Sequence, residues 1–325
     1  MVLITTSIIY VIIGLALLNY CSEWFIVGSS RLAKHFNISN FVIGATVVAF
    51  GTSLPEIITS VYASLIGLKG IATGNALGSN IANIGLVLGL SAIIYPIFIK
   101  HKNILHNGYI YALFVLIATI LGYNGFDFID GTILFFLLIG YVIYTIKKGG
   151  SCESIDDDGK KHSLLTSIIY TVLGLIGVIL GSAIFVDGAK GIALFLGVSD
   201  KVIGFTLVAF GTSLPELVVS IAAAKRKMGE MILGNIIGSN IANIGGALGL
   251  SAIITTMPPV RFELGVNLLL SLLMVIFMSK YVILKYITKK DIVENVFSKI
   301  NRIDGFLMVS IYLLFVLIVG GIIIL

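Results

Sequence analysis

Hydrophobic positions fill long, nearly unbroken runs along the whole chain, and short polar segments separate them. Each run is long enough to cross about 30 Å of hydrocarbon as a helix. A closed barrel would show segments of about 10 residues with alternating polarity, and these are absent. Ten runs are present, at residues 3–28, 40–66, 71–99, 106–125, 127–146, 164–186, 200–224, 230–257, 262–287 and 303–325. The pattern therefore predicts an all-α membrane protein with ten transmembrane helices, numbered here as spans 1 to 10.

The composition agrees with a membrane protein. Of the 325 residues, 58% are hydrophobic and 11% are charged, and the mean hydropathy is +1.10. A soluble domain has about 25% charged residues, so this chain has too few to cover a water-facing surface. A cytosolic enzyme, a nucleic-acid-binding module and a secreted domain are excluded on that ground. Two cysteines, Cys21 and Cys152, are too few for a disulfide framework.

The basic residues predict the orientation. Loops that follow odd-numbered spans hold 17 of the 21 Lys and Arg residues. The positive-inside rule then makes those loops cytoplasmic and both termini extracellular, in a multi-pass protein of the cell membrane. Residues 147–163 form the one markedly polar stretch and are expected to be a flexible cytoplasmic linker. The acidic run Asp156–Asp158 within it could be a regulatory calcium site, but we favour a solvated loop.

The chain also repeats itself at an offset of 160 residues. Residues 43–94 match residues 203–254 at 31 of 52 positions, and AFGTSLPE at 49–56 and GSNIANIG at 78–85 recur unchanged at 209–216 and 238–245. The first repeat spans residues 1–146 and the second spans 164–325. Each repeat contains five spans, an odd number, so the second must insert with inverted topology. Inverted repeats are typical of secondary transporters, whose sites lie at the midplane between them.

Both copies of the first block place a glutamate near the middle of a span. A carboxylate at the bilayer centre costs about 2.5–3.5 kcal/mol on insertion scales, and no Lys or Arg lies in either block to neutralise Glu56 or Glu216. A bound cation is the simplest counter-charge. Pro55 and Gly51 are expected to interrupt the helix and free the backbone carbonyls of residues 49–52 as ligands.

The neighbouring side chains supply further oxygen atoms. Thr52 and Glu56 share a helix face, as do Ser79 and Asn83 on span 3. The second repeat has the same arrangement, with Pro215 and Gly211 on span 7 and with Ser239 and Asn243 on span 8. An all-oxygen set suits hard cations, and calcium accepts 6–8 oxygens with flexible geometry. Sodium has a similar size, whereas magnesium, zinc, copper and iron fit less well.

The charge of the site suggests a mechanism. One calcium ion or two sodium ions balance two ionised glutamates, and a third sodium ion leaves a single positive charge. An empty site keeps a buried double negative charge, which is costly to move through an occluded state. Such a protein should switch the side of the membrane to which its site opens only when a cation is bound, and two kinds of cation should occupy the site in turn. This behaviour is antiport.

At these motifs the chain resembles the sodium/calcium exchanger family, particularly its archaeal members. The resemblance implies a core of spans 2, 3, 7 and 8, with long, tilted spans 1 and 6 that slide across it. It also implies that sodium and calcium are the transported ions and that no cofactor is needed. The expected surroundings are the lipid bilayer, without an obligatory protein partner. The cation ligands that it implies are Glu56, Glu216, Thr52, Ser53, Thr212, Ser213, Ser79, Ser239, Asn83 and Asn243, with the carbonyl groups of Ala49 and Ala209.

One position departs from the family pattern. Many relatives have Asp at the position of Asn243, so this site has two carboxylates rather than three, and coupling to protons or potassium through that position is disfavoured. Sodium/calcium antiport is the leading hypothesis, with proton/calcium antiport as its alternative. A cation channel and an intramembrane serine hydrolase are the other classes, and GTSLP lacks the second glycine of a hydrolase elbow. The remaining repeated asparagines, Asn75, Asn80, Asn235 and Asn240, are expected to be structural.

Overall fold

The computed structural model describes residues 2–99, 101–148, 163–196, 209–288 and 298–319. Within these ranges, nine helices are long and apolar enough to cross a membrane. Span 7 is described from Ala209 onward, and its predicted beginning at residues 200–208 lies outside the described residues, as do most of the linker and the end of span 10. The chain is thus a helical membrane protein, as the hydrophobic pattern predicts.

The helices of the first repeat are these: span 1, Val2–His35; span 2, Asn40–Ile43, the π-helical Gly44–Val48 and Ala49–Leu65; span 3, Lys69–Ala82, the π-helical Asn83–Leu88 and Gly89–Ile94; span 4, Lys102–Leu121; and span 5, Phe128–Lys148. Those of the second repeat are span 6, Leu164–Phe195; span 7, Ala209–Thr212 and Leu214–Lys225; span 8, Gly229–Ala242, the π-helical Asn243–Leu248 and Gly249–Ile254; span 9, Arg261–Thr288; and span 10, Arg302–Val319.

Spans 1 and 6 are longer than the hydrophobic pattern predicts. Their helices end at His35 and Phe195 rather than at residues 28 and 186. Charged residues marked the predicted ends, but basic side chains in a last turn stabilise a helix terminus, and span 1 ends with Lys34 and His35. At 34 and 32 residues, both helices exceed the roughly 20 residues needed to cross a bilayer.

Spans 1 and 6 pack against each other along most of their length. A Cβ atom on Gly28 would lie 2.5 Å from the backbone nitrogen of Thr171, and one on Gly174 would lie 2.4 Å from that of Phe25. Gly188 on span 6 approaches Ser7 and Val11 in the same way. Glycine is therefore required where the two backbones meet, and the helices form one paired unit.

A short two-stranded sheet adds a feature that the all-helical prediction lacks. Strand β1, Ile97–Ile99, pairs antiparallel with β2, Ser298–Ile300. Span 3 was expected to continue to residue 99, but its helix ends at Ile94, just before Pro96. Proline disfavours a helical conformation in the residue before it. The two strands join the segment that follows span 3 to the segment that precedes span 10.

The core consists of the spans that carry the repeated motifs. In spans 3 and 8, 78% and 89% of the most hydrophobic window is buried, against 17% in span 1. The backbones of spans 2 and 8 are in contact. A Cβ atom on Gly234 would lie 2.3 Å from the carbonyl oxygen of Phe41, and one on Gly238 would lie 2.5 Å from that of Ala45. These two helices fix the central part of the molecule.

Spans 5 and 10 support the core at equivalent points. Gly131 on span 5 packs on the backbone of Gly249, while Gly305 on span 10 packs on that of Gly89. Gly89 and Gly249 are 160 residues apart, but Gly131 and Gly305 are separated by 174. The repeat thus includes the fifth span of each half, with 14 more residues inserted before span 10.

Candidate cation site

The two glutamates of the repeated blocks are both fully buried. Glu56 lies on span 2 and Glu216 on span 7, and neither side chain is exposed to any measurable extent. Ser53, one turn before Glu56, donates a hydrogen bond of 2.9 Å from its Oγ to Oε1 of Glu216. This contact joins the acidic blocks of the two repeats at one place in the core.

Most of the carboxylate oxygens at this place have no protein partner. Oε1 and Oε2 of Glu56 and Oε2 of Glu216 are buried without a hydrogen bond. The ion pairs found among the described residues, between His101 and Glu230, Arg226 and Glu23, and Lys280 and Asp304, leave these two glutamates out. Buried carboxylates are normally paired or bound to metal ions, so the donor set fits a cation.

Spans 3 and 8 bring four further candidates into the core. Ser79, Asn83, Ser239 and Asn243 are all at most 3% exposed. The Oγ of Ser239 donates to the backbone carbonyl of Ala49 at 3.3 Å, which places this serine and this carbonyl in contact across spans 2 and 8. The Oγ of Ser79 and both polar atoms of the Asn243 amide are buried without a hydrogen bond.

The threonines and the remaining serine flank the glutamates. Thr52 is fully buried, and its hydroxyl lies 3.3 Å from the Ala49 carbonyl and 3.4 Å from Oδ1 of Asn235. Ser213 is buried with its Oγ unpartnered, whereas Thr212 is only partly buried. Ala209 begins the described part of span 7, and the expected role of its carbonyl group as a ligand stays a prediction.

The predicted interruption of span 2 at Gly51 and Pro55 is wrong. The helix Ala49–Leu65 continues through Pro55, and the irregular segment is the π-helical turn at residues 44–48, upstream of the carbonyls expected to be free. Gly51 has a packing role, because a Cβ atom there would lie 2.9 Å from Leu175 on span 6. In span 7 the helix does break, at Ser213, and Pro215 lies in the first turn of the next helix.

Each candidate asparagine begins a π-helical segment. These segments are Asn83–Leu88 and Asn243–Leu248, and they occupy the same position in the two repeats. A π-helical turn inside an α-helix is rare and is found frequently at functional sites. The hydrophobic pattern does not predict these turns, although the glycines within them provide a signal. A Cβ on Gly85 would lie 2.6 Å from Tyr312, and one on Gly245 would lie 2.5 Å from Leu138.

The other repeated asparagines connect helices. Asn75 donates to Ser60 at 2.9 Å and to the backbone carbonyl of Glu56 at 3.0 Å. Asn235 makes the equivalent bond to Ser220 at 3.1 Å. The two bonds to serine link neighbouring spans of one repeat, and the bond from Asn75 to the Glu56 carbonyl also holds the backbone of a candidate ligand.

One ion pair was not anticipated. Glu23 lies well inside the helix Val2–His35 and pairs with Arg226, its carboxylate 2.7 Å from Nε and 2.5 Å from the terminal nitrogen. Arg226 follows directly on the end of span 7. The pair therefore ties the long helix pair to the core, near one membrane surface.

Buried oxygen donors from both halves, held on interrupted helices, are typical of a secondary transporter. The family model described as "Sodium/calcium exchanger protein" matches residues 6–147 and 166–321. The chain therefore belongs to the sodium/calcium exchanger family, as the motifs predict.

Individual relatives cover almost the whole chain. An uncharacterized membrane protein of Methanocaldococcus jannaschii is 52% identical over 305 residues, covering 94% of this chain and 95% of that protein. Sodium/calcium exchanger MaX1 of Methanosarcina acetivorans is 31% identical, covering 85% and 92%. A structure of the sodium-calcium exchanger NCX_Mj, soaked with sodium and strontium, aligns with a TM-score of 0.84 at 50% identity, covering 96% of this chain and 97% of that one.

Proposed function

We propose that this protein exchanges sodium ions for calcium across the membrane by alternating access, with the cations bound between the two repeats. The observation that carries the proposal is the pair of fully buried glutamates, of whose four carboxylate oxygens three lack a protein partner. Leaving such oxygens unpaired is expensive, and a cation that they coordinate offsets that cost. Membership of the sodium/calcium exchanger family supports the identity of the ions.

The donor atoms support calcium and sodium over other metals. The buried candidates offer carboxylate, hydroxyl, amide and carbonyl oxygens, and neither His nor Cys stands among them. Hard cations prefer this set, and calcium tolerates irregular geometry with 6–8 ligands. The proposed ligands are Glu56, Glu216, Thr52, Ser53, Thr212, Ser213, Ser79, Ser239, Asn83 and Asn243, with the carbonyl groups of Ala49 and Ala209.

Alternation between sides follows from the charge of the site. One calcium ion or two sodium ions neutralise the two glutamates, and a third sodium ion leaves a single positive charge, so the loaded site crosses the occluded state more cheaply than the empty one with its two buried negative charges. We propose that spans 1 and 6 move as a unit over the core. Their close glycine packing supports this, since it keeps the two helices together, while the pair between Glu23 and Arg226 is an exposed contact that motion can break.

We further propose the domain organisation and topology that the sequence predicts. Residues 1–146 and 164–325 are the two inverted repeats, residues 147–163 are a cytoplasmic linker, and both termini are extracellular in the cell membrane. The distribution of Lys and Arg supports this orientation. We propose a transporter rather than an enzyme, without a cofactor or an obligatory protein partner.

The test is uptake of radioactive calcium into proteoliposomes loaded with sodium. An outward sodium gradient at clamped pH should drive calcium accumulation, and equal sodium on both sides should abolish it. Potassium loading serves as the control. If a proton gradient drives uptake and a sodium gradient does not, the protein is a proton/calcium antiporter. Single-channel currents in planar bilayers would instead indicate a channel.

The substitution Asn243→Asp is expected to preserve calcium transport and to make it more dependent on pH. A third carboxyl group adds a titratable ligand, which is negative at high pH and loses its charge when it binds a proton. Transport by the variant should therefore fall more steeply than wild-type transport as the pH is lowered, measured by calcium uptake between pH 6 and 8. Asn243→Ser changes the same amide without adding a titratable group and is the matched control. An unchanged profile in Asn243→Asp would count against this residue as a ligand.

A further inference from the structure

A chain of hydrogen bonds leads from the candidate site to span 4. The amide nitrogen of Asn83 donates to Oδ1 of Asn240 at 3.0 Å. The nitrogen of Asn240 donates to the hydroxyl of Tyr111 at 2.9 Å, and this hydroxyl lies 3.4 Å from Oδ1 of Asn267. All four side chains are fully buried, so water cannot replace a missing partner easily, and each bond constrains the next.

The donor and acceptor roles along this chain of hydrogen bonds follow from the bond between Tyr111 and Asn267. A tyrosine hydroxyl has one proton to donate, and here the oxygen atom of Asn267 accepts it. The hydroxyl oxygen is then left to accept a bond from Asn240, which must present its NH2 group to Tyr111 and its carbonyl oxygen to Asn83. Asn83 therefore has to turn its own NH2 group toward Asn240.

This orientation leaves the oxygen of Asn83 available. Its Oδ1 is buried without a hydrogen-bond partner, and an amide oxygen, not an amide nitrogen, binds a hard cation. A side-chain amide can rotate by half a turn with little change of shape. Such a rotation would point two N–H donors at the cation.

We propose that Tyr111 is a positioning residue for cation binding, which fixes the Asn83 amide with its oxygen toward the ion by way of Asn240. The inference rests on the proposed function, in which Asn83 is a ligand. Tyr111 touches no ion and acts through two other side chains, so its effect is on calcium affinity rather than on the conformational cycle.

This chain of hydrogen bonds joins two residues of each repeat, and within the described residues its counterpart under the repeat symmetry is not formed. At the offset of 160 residues, the second repeat has Ser271 in place of Tyr111, and its hydroxyl bonds to the carbonyl of Leu268 on its own helix. Asn243, the counterpart of Asn83, has neither amide atom bonded. The two asparagines are therefore held differently although their local sequences are identical.

The test is the substitution Tyr111→Phe, measured by calcium uptake in the reconstituted protein. We expect the KM for calcium to rise about fivefold, the scale of one neutral hydrogen bond, with kcat unchanged. Tyr141→Phe is the matched control, since Tyr141 is a buried tyrosine on span 5 outside this chain of bonds, and its KM should stay at the wild-type value.

A double-mutant cycle separates positioning from general packing. If Tyr111 acts through Asn83, Tyr111→Phe should have no further effect on the calcium KM in an Asn83→Ala background. An equal effect in both backgrounds overturns the proposal, as does an unchanged KM in Tyr111→Phe itself. Where Asn83→Ala abolishes flux, the same cycle is measured from the calcium-dependent rise in melting temperature. Failure of the proposed function is distinct, because the wild-type protein would then show no calcium uptake driven by sodium.

Discussion

Replacing either buried glutamate with glutamine should abolish calcium exchange. Glu56→Gln and Glu216→Gln keep the size of the side chain but remove one of the two negative charges at the site. Loss of a buried charge partner is worth about 3–5 kcal/mol, and each 1.4 kcal/mol is about tenfold. We therefore expect calcium uptake driven by sodium to fall by at least about a hundredfold in each variant.

The same substitutions should leave the fold intact. An unpaired buried carboxylate destabilises the protein when no cation is bound, so a neutral amide should maintain or raise the melting temperature in cation-free buffer. Added calcium should raise that temperature for the wild-type protein and have little effect on the two variants. This pattern separates loss of the site from loss of structure.

Asp187→Asn is the matched control for this experiment. Asp187 is an exposed carboxylate within the long helix of span 6, so its conversion to an amide tests the general effect of removing an acidic group from a span. Its uptake should remain near the wild-type level. Near-normal flux in both Glu56→Gln and Glu216→Gln would contradict the assignment of the site.

Much of the fold is predictable because the duplicated pattern is strong. Long hydrophobic runs can only be helices in lipid, and the 160-residue offset with five spans per copy predicts inversion. The helix ends are less predictable, because charged residues such as Lys34 lie within a last turn as readily as beyond it. The strands at residues 97–99 and 298–300 pair across some 200 residues of sequence, and no local pattern indicates such a contact.

The site illustrates a sharper limit. Residues 49–56 and 209–216 have the same eight amino acids, yet the first copy is one continuous helix and the second is interrupted at Ser213. Local sequence cannot distinguish two copies that are identical, so their surroundings decide. The sequence singles out the two glutamates by their cost in lipid, and both are buried in the structure. The bond from Asn240 to Tyr111 could not be found in the same way, because that contact depends on how spans 4 and 8 pack.

Gly238→Val should damage both the stability and the transport of the protein. A Cβ atom at this position would lie 2.5 Å from the carbonyl oxygen of Ala45 and 2.7 Å from Cβ of Ala49, so spans 2 and 8 must separate. Backbone cannot yield as a flexible side chain can, and overpacking of this kind costs about 1–3 kcal/mol. We expect the melting temperature to fall by on the order of 5–10 °C.

Transport should fall together with stability in this variant, because the contact between Ser239 and the Ala49 carbonyl lies beside the same glycine. At least about a tenfold loss of calcium uptake is expected, since about 1.4 kcal/mol of lost binding gives that factor. Gly140→Val is the control, because a Cβ atom on this exposed glycine of span 5 meets no described atom within 4 Å. The glutamine variants should lose transport without loss of stability, whereas Gly238→Val should lose both. Wild-type stability and flux in Gly238→Val would mean that spans 2 and 8 do not hold the candidate ligands together.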